Sequence, residues 1–347
     1  MLHWFCPPQE PRVSPGRLTV RLPPRSQRFR WTLESATQWF DQARQSMERT
    51  MSRFDRHLAL FGAAGQKSLR KTRTAVVGAG GLGSHVLQQL AYLGVGHIAP
   101  VDPDIVTETS LNRLVPATPD DIGRKKVLVA KDAIERVDPG VSVTPIDRSL
   151  FTVDARDAVT SADVVFGCMD LEGSRLALTE LCLAFDIPYF DLASDVLPAD
   201  PAPEFGGRVS ITWSGNGCLV CRSLLDVNEA GLQLSGPGGW AAYKELYGVD
   251  ARLLSVAGPS VVSVNGVIAS LAVTEFMAAV TGLREPRETL TYRGWRGGVS
   301  LSEEREDGCY YCNVVRGSGD SSNWERYLSA GLDTYFPGSI DALASGD

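Results

Sequence analysis

The chain has 347 residues, 44% hydrophobic and 22% charged, enough apolar material for a large α/β domain with additions or for two domains. Its 34 Lys and Arg stand against 41 Asp and Glu, and the net charge of −7 leaves no global basic surface for gripping nucleic-acid phosphates. The longest uncharged stretch, Leu253 to Thr274, carries Gly258, Pro259, Asn265 and Gly266, so it is expected to be a buried helix with its approach and not a membrane span. The opening MLHWFCPPQEPR lacks a basic start followed by an apolar run and a small-residue cleavage site, so no secretory signal is expected and a cytoplasmic setting is.

Residues 1–49 are punctuated by Pro7, Pro8, Pro11, Pro15, Pro23 and Pro24 and hold eight Arg against four acids, the pattern of an appended arm. Within it, Trp31, Trp39, Phe40, Ala43 and Met47 partly fit a helical face. From Leu69 onward strands and helices alternate. Thr74–Gly78 is expected as a strand, Leu82–Leu93 as a helix, His97–Asp102 as a strand and Lys126–Val137 as a helix. Val141–Ile146 and Asp163–Cys168 follow as strands, then a helix over Arg175–Phe185 and a strand at Pro188–Leu192. This alternation predicts an α/β fold, a Rossmann-like, mostly parallel sheet with helices on both faces and its ligand beyond the carboxyl ends of the strands. The second half is less regular: Gly206-Gly207, Gly215–Gly217 and Gly236–Gly239 read as turns, Val261–Val280 as a long apolar helix, and the last thirty residues as a loosely held tail. The expected division is a 1–49 extension, a 50–317 main domain and a 318–347 tail.

Gly78-Ala-Gly80-Gly81-Leu-Gly83 lies between a strand and a helix, where unhindered backbone N–H groups can approach phosphates at the helix N-terminus. Asp102 ends the second strand nineteen residues after Gly83, placed to accept hydrogen bonds from ribose hydroxyls. These residues alone suit a dinucleotide dehydrogenase as well as an ATP user. Cleaving ATP further requires cations to offset the triphosphate and a carboxylate for Mg²⁺. The connections after the second strand supply Asp104, Ser110-Leu-Asn112-Arg113 and Lys126, and Asp170 ends a later strand at the same rim.

Seven cysteines include Cys218-Leu-Val-Cys221 and Cys309-Tyr-Tyr-Cys312, two knuckles of the kind that close a four-thiolate Zn²⁺ site. Four protein ligands leave no open position, so the ion is expected to staple the C-terminal part. Cys168 and Cys182 are expected as buried small hydrophobes.

The sequence resembles the ThiF/MoeB/HesA adenylyltransferases, the superfamily that includes the ubiquitin-activating enzymes. The resemblance runs from about Ser52 to Val315 and rests on Arg53-Phe-Asp-Arg56-His57, Gly78–Ser84, Asp102-x-Asp104 with the downstream Asn112-Arg113, Lys126, Asp170 with Arg175, and the paired Cys-x-x-Cys motifs. It implies activation of the C-terminal glycine of a small ubiquitin-like or sulfur-carrier protein as an acyl-adenylate, with release of pyrophosphate. By the same resemblance Asp102 holds the ribose of ATP, Arg113 and Lys126 bind the triphosphate, Asp170 ligates Mg²⁺, and Asp104, Ser110 and Asn112 line the nucleotide site. Arg56 reaches the phosphates of the partner subunit in a homodimer. Ser110 and Leu114 stand where the family usually has Asn and Gln. No cysteine lies between Cys221 and Cys309, so the adenylate is expected to pass directly to a downstream conjugating or sulfur-donor protein. The Pro- and Gly-rich stretch Ser194–Gly207 is expected to cover the carrier's tail. The long arm and Phe166-Gly-Cys-Met-Asp170 resemble members of bacterial conjugation cassettes more than the compact biosynthetic enzymes, which implies ubiquitin-like conjugation over sulfur-carrier activation for molybdopterin or thiamine. From other classes, an NAD-dependent oxidoreductase or a non-catalytic scaffold would leave the cations or the chemistry without a role.

Overall fold

A computed structural model describes residues 53–197, 199–247, 259–322 and 324–335, and the described residues from Phe54 onward form one compact unit. The expected helix between Trp31 and Met51 and the rest of the 1–49 arm lie outside the described residues. Eight strands form one sheet in the order β3-β2-β1-β4-β5-β6-β7-β8. They are β1 (Arg73–Val77), β2 (His97–Val101), β3 (Ser142–Val143), β4 (Val164–Gly167), β5 (Tyr189–Leu197), β6 (Glu204–Thr212), β7 (Thr289–Arg293) and β8 (Gly298–Ser302). Pairing is parallel from β3 to β5 and antiparallel from β5 to β8. The expected mostly parallel Rossmann-like sheet is therefore present, with an antiparallel extension along one side.

Short β-branched runs such as Arg-Thr-Ala-Val-Val in β1 are buried on both faces, as central parallel strands require. On one face pack α1 (Asp55–Lys71), α2 (Gly81–Leu93), α3 (Lys126–Val137) and α8 (Val262–Val280), through Leu69, Leu90, Ile134, Ile268 and Phe276 against Val76, Phe166 and Phe190. On the other pack α4 (Val153–Thr160), α5 (Glu172–Ala184) and α7 (Gly236–Tyr247), through Val159, Leu178 and Trp240 against Val77, Val165 and Tyr189. Helix α6 (Val227–Leu234) precedes α7. Helix α8 is apolar and long enough to cross a membrane by composition, but Val264, Ile268, Ala269, Ala272 and Phe276 are buried in the core, as expected for this stretch.

The chain runs from β1 outward to β3, then returns to lay β4 on the other side of β1. Strand order thus reverses between β1 and β4, and their carboxyl ends open a crevice for a ligand.

Several expectations are corrected. The third strand shrinks to Ser142–Val143, although Thr144 N and Ile146 N still donate to Ile98 O and Pro100 O, and Ile146 meets Val101 in an isolated bridge. Ser194–Gly207 is not the irregular loop expected. Ser194 to Leu197 pair residue for residue with Gly207 to Glu204, so the stretch is the end of a hairpin. Gly206 and Gly207 lie inside β6, where a side chain at Gly206 would strike Tyr292 O and one at Gly207 would strike Ile268. Gly236–Gly239 open α7, which Trp240 anchors by donating Nε1 to Leu232 O at 2.9 Å.

The C-terminal stretch is packed as far as it is described. Helices α9 (Glu325–Ser329) and α10 (Leu332–Tyr335) bury Tyr327 and Leu332 beside Trp324, and Tyr327 Oη and Arg326 Nη2 both donate to Glu180 Oε2, at 2.9 and 2.6 Å. The Trp324…Tyr327-Leu328 spacing was its sequence signal, masked by the surrounding Ser, Gly and Asp.

Candidate active site

The glycine turn caps the switch point. Gly78 has φ of +93°, and a side chain there would come within 2.6 Å of Cys168 O at the end of β4, so only glycine lets the two strand ends meet. Gly80 is the residue before α2 and Gly81 its first, so the unpaired N–H groups of this helix end face the crevice.

Asp102 ties the turn to the end of β2. Its Oδ2 accepts from Ala79 N at 2.7 Å and its Oδ1 from Asp104 N at 2.9 Å. The carboxylate keeps further lone pairs for a ligand. Asp104 Oδ2 accepts from Lys126 Nζ at 2.7 Å, with both groups buried. Burial and the Asp104 charge push the Asp102 carboxyl up, against the pull of Lys126. Burial acts to lower the Lys126 pKa, but Asp102 and Asp104 outweigh it and hold the ammonium charged.

Arg113 stands over the same turn, its Cδ 3.4 Å from where a side chain at Gly81 would begin. Its Nη1 donates to Thr109 O at 2.5 Å and to Asn112 Oδ1 at 3.3 Å. Asn112 itself is exposed. Ser110 is buried and its hydroxyl is engaged in its own turn, 2.8 Å from Thr107 Oγ1.

Asp170 lies at the rim past β4, open to water yet crowded by protein. That crowding, with Asp104 and Asp102 adding and Lys126 opposing, pushes its carboxyl up to about 6. A narrow cleft open to solvent runs between Gly78, Asp102 and Asp170. Arg148, Ser149 and Leu150, on the connection after β3, and Ser174 in α5 also line it. Sequence reading missed these four; the only signal was that a connection leaving a strand end must cross this rim.

Arg175 is buried behind the rim and committed. Its Nε and Nη2 donate to Asp191 at 3.1 and 2.6 Å, and its Nη1 to Glu172 at 2.5 Å. It therefore positions the start of α5 and leaves the cleft to Asp170.

Arg56 is not part of this cluster within its own chain. Phe54 packs on Gly94 at the far end of α2, and thirteen residues rising about 1.5 Å each separate that end from the glycine turn by about 20 Å. Arg56 is exposed there. His85, just after the glycine turn in α2, packs over Gly266 of α8 and bonds the Val262 backbone, and burial lowers its pKa.

The sulfurs of Cys218, Cys221, Cys309 and Cys312 lie within 4.8 Å of one another, with Cys218–Cys309 at 3.7 Å and Cys221–Cys312 at 3.9 Å. A tetrahedral zinc with bonds of about 2.3 Å separates its sulfurs by about 3.8 Å, so the four thiols fit that ion. Arg222, next to the first knuckle, donates Nη1 to Ser210 Oγ and Ile211 O, both at 2.9 Å, and Nη2 to Glu288 Oε2 at 2.8 Å, fastening the cluster to β6. Cys182 is buried in α5 as the sequence suggested, whereas Cys168, beside the glycine turn, is only half-buried and packs against the edge of the core.

Residues 54–317 match the model of the ThiF family. The chain belongs to the ThiF family. Similar proteins include the sulfur carrier protein ThiS adenylyltransferase of Escherichia coli, 28% identical over 76% of this chain and 96% of that enzyme. The SAMP-activating enzyme E1 of Haloferax volcanii is 35% identical over 40% of this chain, and the match spans only 52% of the archaeal protein. The molybdopterin-synthase adenylyltransferase of Escherichia coli is 30% identical over 51% of this chain and 70% of its own length. Among solved structures, the microcin C7 biosynthetic enzyme MccB in complex with N-formylated MccA superposes with a TM-score of 0.59 at 20% identity, over 82% of this chain and 83% of that one, a likeness of fold. These ThiF relatives are named adenylyltransferases and activating enzymes, which removes the oxidoreductase reading of the glycine turn.

Proposed function

We propose that this ThiF-family chain uses ATP to adenylate the C-terminal glycine carboxylate of a small ubiquitin-fold carrier protein. The observation that carries the reading is the convergence on one strand-order reversal of the glycine turn, the Asp102–Asp104–Lys126 cluster, Arg113 and Asp170. Asp102 would hold the ribose, the α2 N-terminus with Lys126 and Arg113 would hold the phosphates, and Asp170 would take Mg²⁺. The carrier's carboxylate is already ionised at neutral pH, so it needs no general base. One of its oxygens bonds to the α-phosphorus while the bond to the bridging oxygen breaks, and pyrophosphate leaves with that electron pair. The site's task is in-line positioning and charge stabilisation. ATP supply and reduced thiols both suit a cytosolic setting.

Arg56, stranded in its own chain, suits a homodimer in which it serves the partner's phosphates. A dimer pairing one Arg56→Ala subunit with one Asp170→Ala subunit is then expected to regain one working site and about half the wild-type exchange rate, while either homodimeric variant stays inactive. Purified mixed dimers with separable tags measure this. Inactivity of the mixed dimer would mean that Arg56 does not act across the interface, and an active Arg56→Ala homodimer would place it outside the reaction.

The cysteine cluster would hold Zn²⁺ as a staple with no substrate position. Removing zinc with a chelator is expected to lower the melting temperature by about 10 °C or more, as loss of several kcal/mol would. Calorimetry with zinc quantified in parallel checks it, and an unchanged transition in zinc-free protein would contradict the staple.

Conjugation in a bacterial ubiquitin-like system is the pathway we favour. Sulfur-carrier activation is the second reading, and the near full-length match to the ThiS adenylyltransferase supports it. Pyrophosphate exchange into ATP with candidate carriers of each kind tests the function and separates the pathways.

A further inference from the structure

The start of α8 reaches the same glycine turn as Arg113. A side chain at Gly81 would collide with Asn265 Nδ2 and would lie 3.4 Å from Ser260 Oγ, the same distance as from Arg113 Cδ. Asn265 is fully buried. Its Nδ2 donates to Ser260 Oγ at 2.9 Å, and its buried Oδ1 has no partner among the described residues. Most buried amides satisfy both ends, so an amide held here at the cost of an unpaired oxygen calls for a role.

A serine hydroxyl carries one donor and two acceptor lone pairs. Ser260 accepts from Asn265 through one lone pair, which leaves its proton free to point elsewhere. It lies beside unpaired helix N–H groups and a guanidinium, surroundings that attract an oxyanion. We propose that Ser260 donates its hydroxyl proton to a phosphoryl oxygen of the nucleotide at the α2 N-terminus, and that Asn265 is the positioning residue that aims it. This rests on the nucleotide reading of the site, but not on the identity of the carrier. Sequence gave no sign of it, since Ser260 is 176 residues beyond Ser84 in the glycine segment and matches no motif.

Calorimetric titration of the full chain with ATP and Mg²⁺, without carrier, tests the proposal. A hydrogen bond to a charged oxygen predicts that Ser260→Ala weakens ATP binding about tenfold or more, while Ser260→Thr, which keeps the hydroxyl, stays near wild type. Asn265→Ala should weaken binding too, and the double variant should be no weaker than Ser260→Ala, because Asn265 acts through Ser260. Unchanged ATP affinity in Ser260→Ala overturns the proposal. So does a double variant in which the two losses add in full, or a lowered melting temperature with affinity intact. If the wild-type chain binds no ATP, the nucleotide reading itself has failed, which is a distinct result.

Discussion

Asp170→Ala is expected to cut carrier-dependent pyrophosphate exchange by about a thousandfold or more while leaving the fold intact. A metal ligand contributes several kcal/mol of charge stabilisation in the transition state, and each 1.36 kcal/mol is tenfold in rate. The folded protein gains nothing from this carboxylate: it lies at an open rim, its carboxyl pushed up to about 6 by crowding and by the acids nearby. Its removal should therefore leave the melting temperature unchanged or slightly raised. Exchange and thermal unfolding measured on one preparation separate the two effects. Activity within tenfold of wild type would remove Asp170 from the metal, and a large loss of stability would make its role structural.

Lys126→Met should fail on both counts. The lysine is buried against Asp104, and truncating one partner of such a pair leaves an uncompensated charge that costs about 3–5 kcal/mol. Asp102 adds to that cost, because burial and Asp104 already push it up and Lys126 is what restrains it. The melting temperature should fall by about 10 °C, as a loss of that size implies for a domain of this length. ATP binding should weaken as well if, as proposed, the ammonium also serves the phosphates. Thermal unfolding with and without ATP–Mg²⁺ reads both. A variant as stable as wild type would mean that the Asp104 pair is solvated and incidental.

Much of the fold was legible because the parallel half follows local rules. Continuous apolar runs in β1 and β4, helical spacing in α2 and α3, and the glycine turn between them each predict their own neighbourhood. Strand ends then bring Asp102 and Asp170 to one rim without any contact needing to be known. What could not be read depends on partners distant in sequence. Gly206 and Gly207 look like a turn until β7 and α8 are seen packed against them. Trp324 and Tyr327 look like part of a tail until Glu180 is seen waiting in α5. Arg148 and Ser149 carry no motif and reach the cleft only because the connection after β3 passes its mouth. Arg56 belongs to the recognised motif, yet the length of α2 keeps it from its own crevice, which no spacing in the sequence could have revealed. The same holds for Asn265, whose meeting with Gly81 is a product of helix packing.

Incorporation of labelled pyrophosphate into ATP is the most direct measure of the central claim, that this site joins a protein carboxylate to AMP. The panel should hold ubiquitin-fold carriers ending in Gly-Gly, each paired with a version lacking the terminal glycine. The account predicts exchange that requires ATP, Mg²⁺ and an intact terminus. Exchange indifferent to that glycine, or none across the panel from a protein that binds ATP, would contradict it.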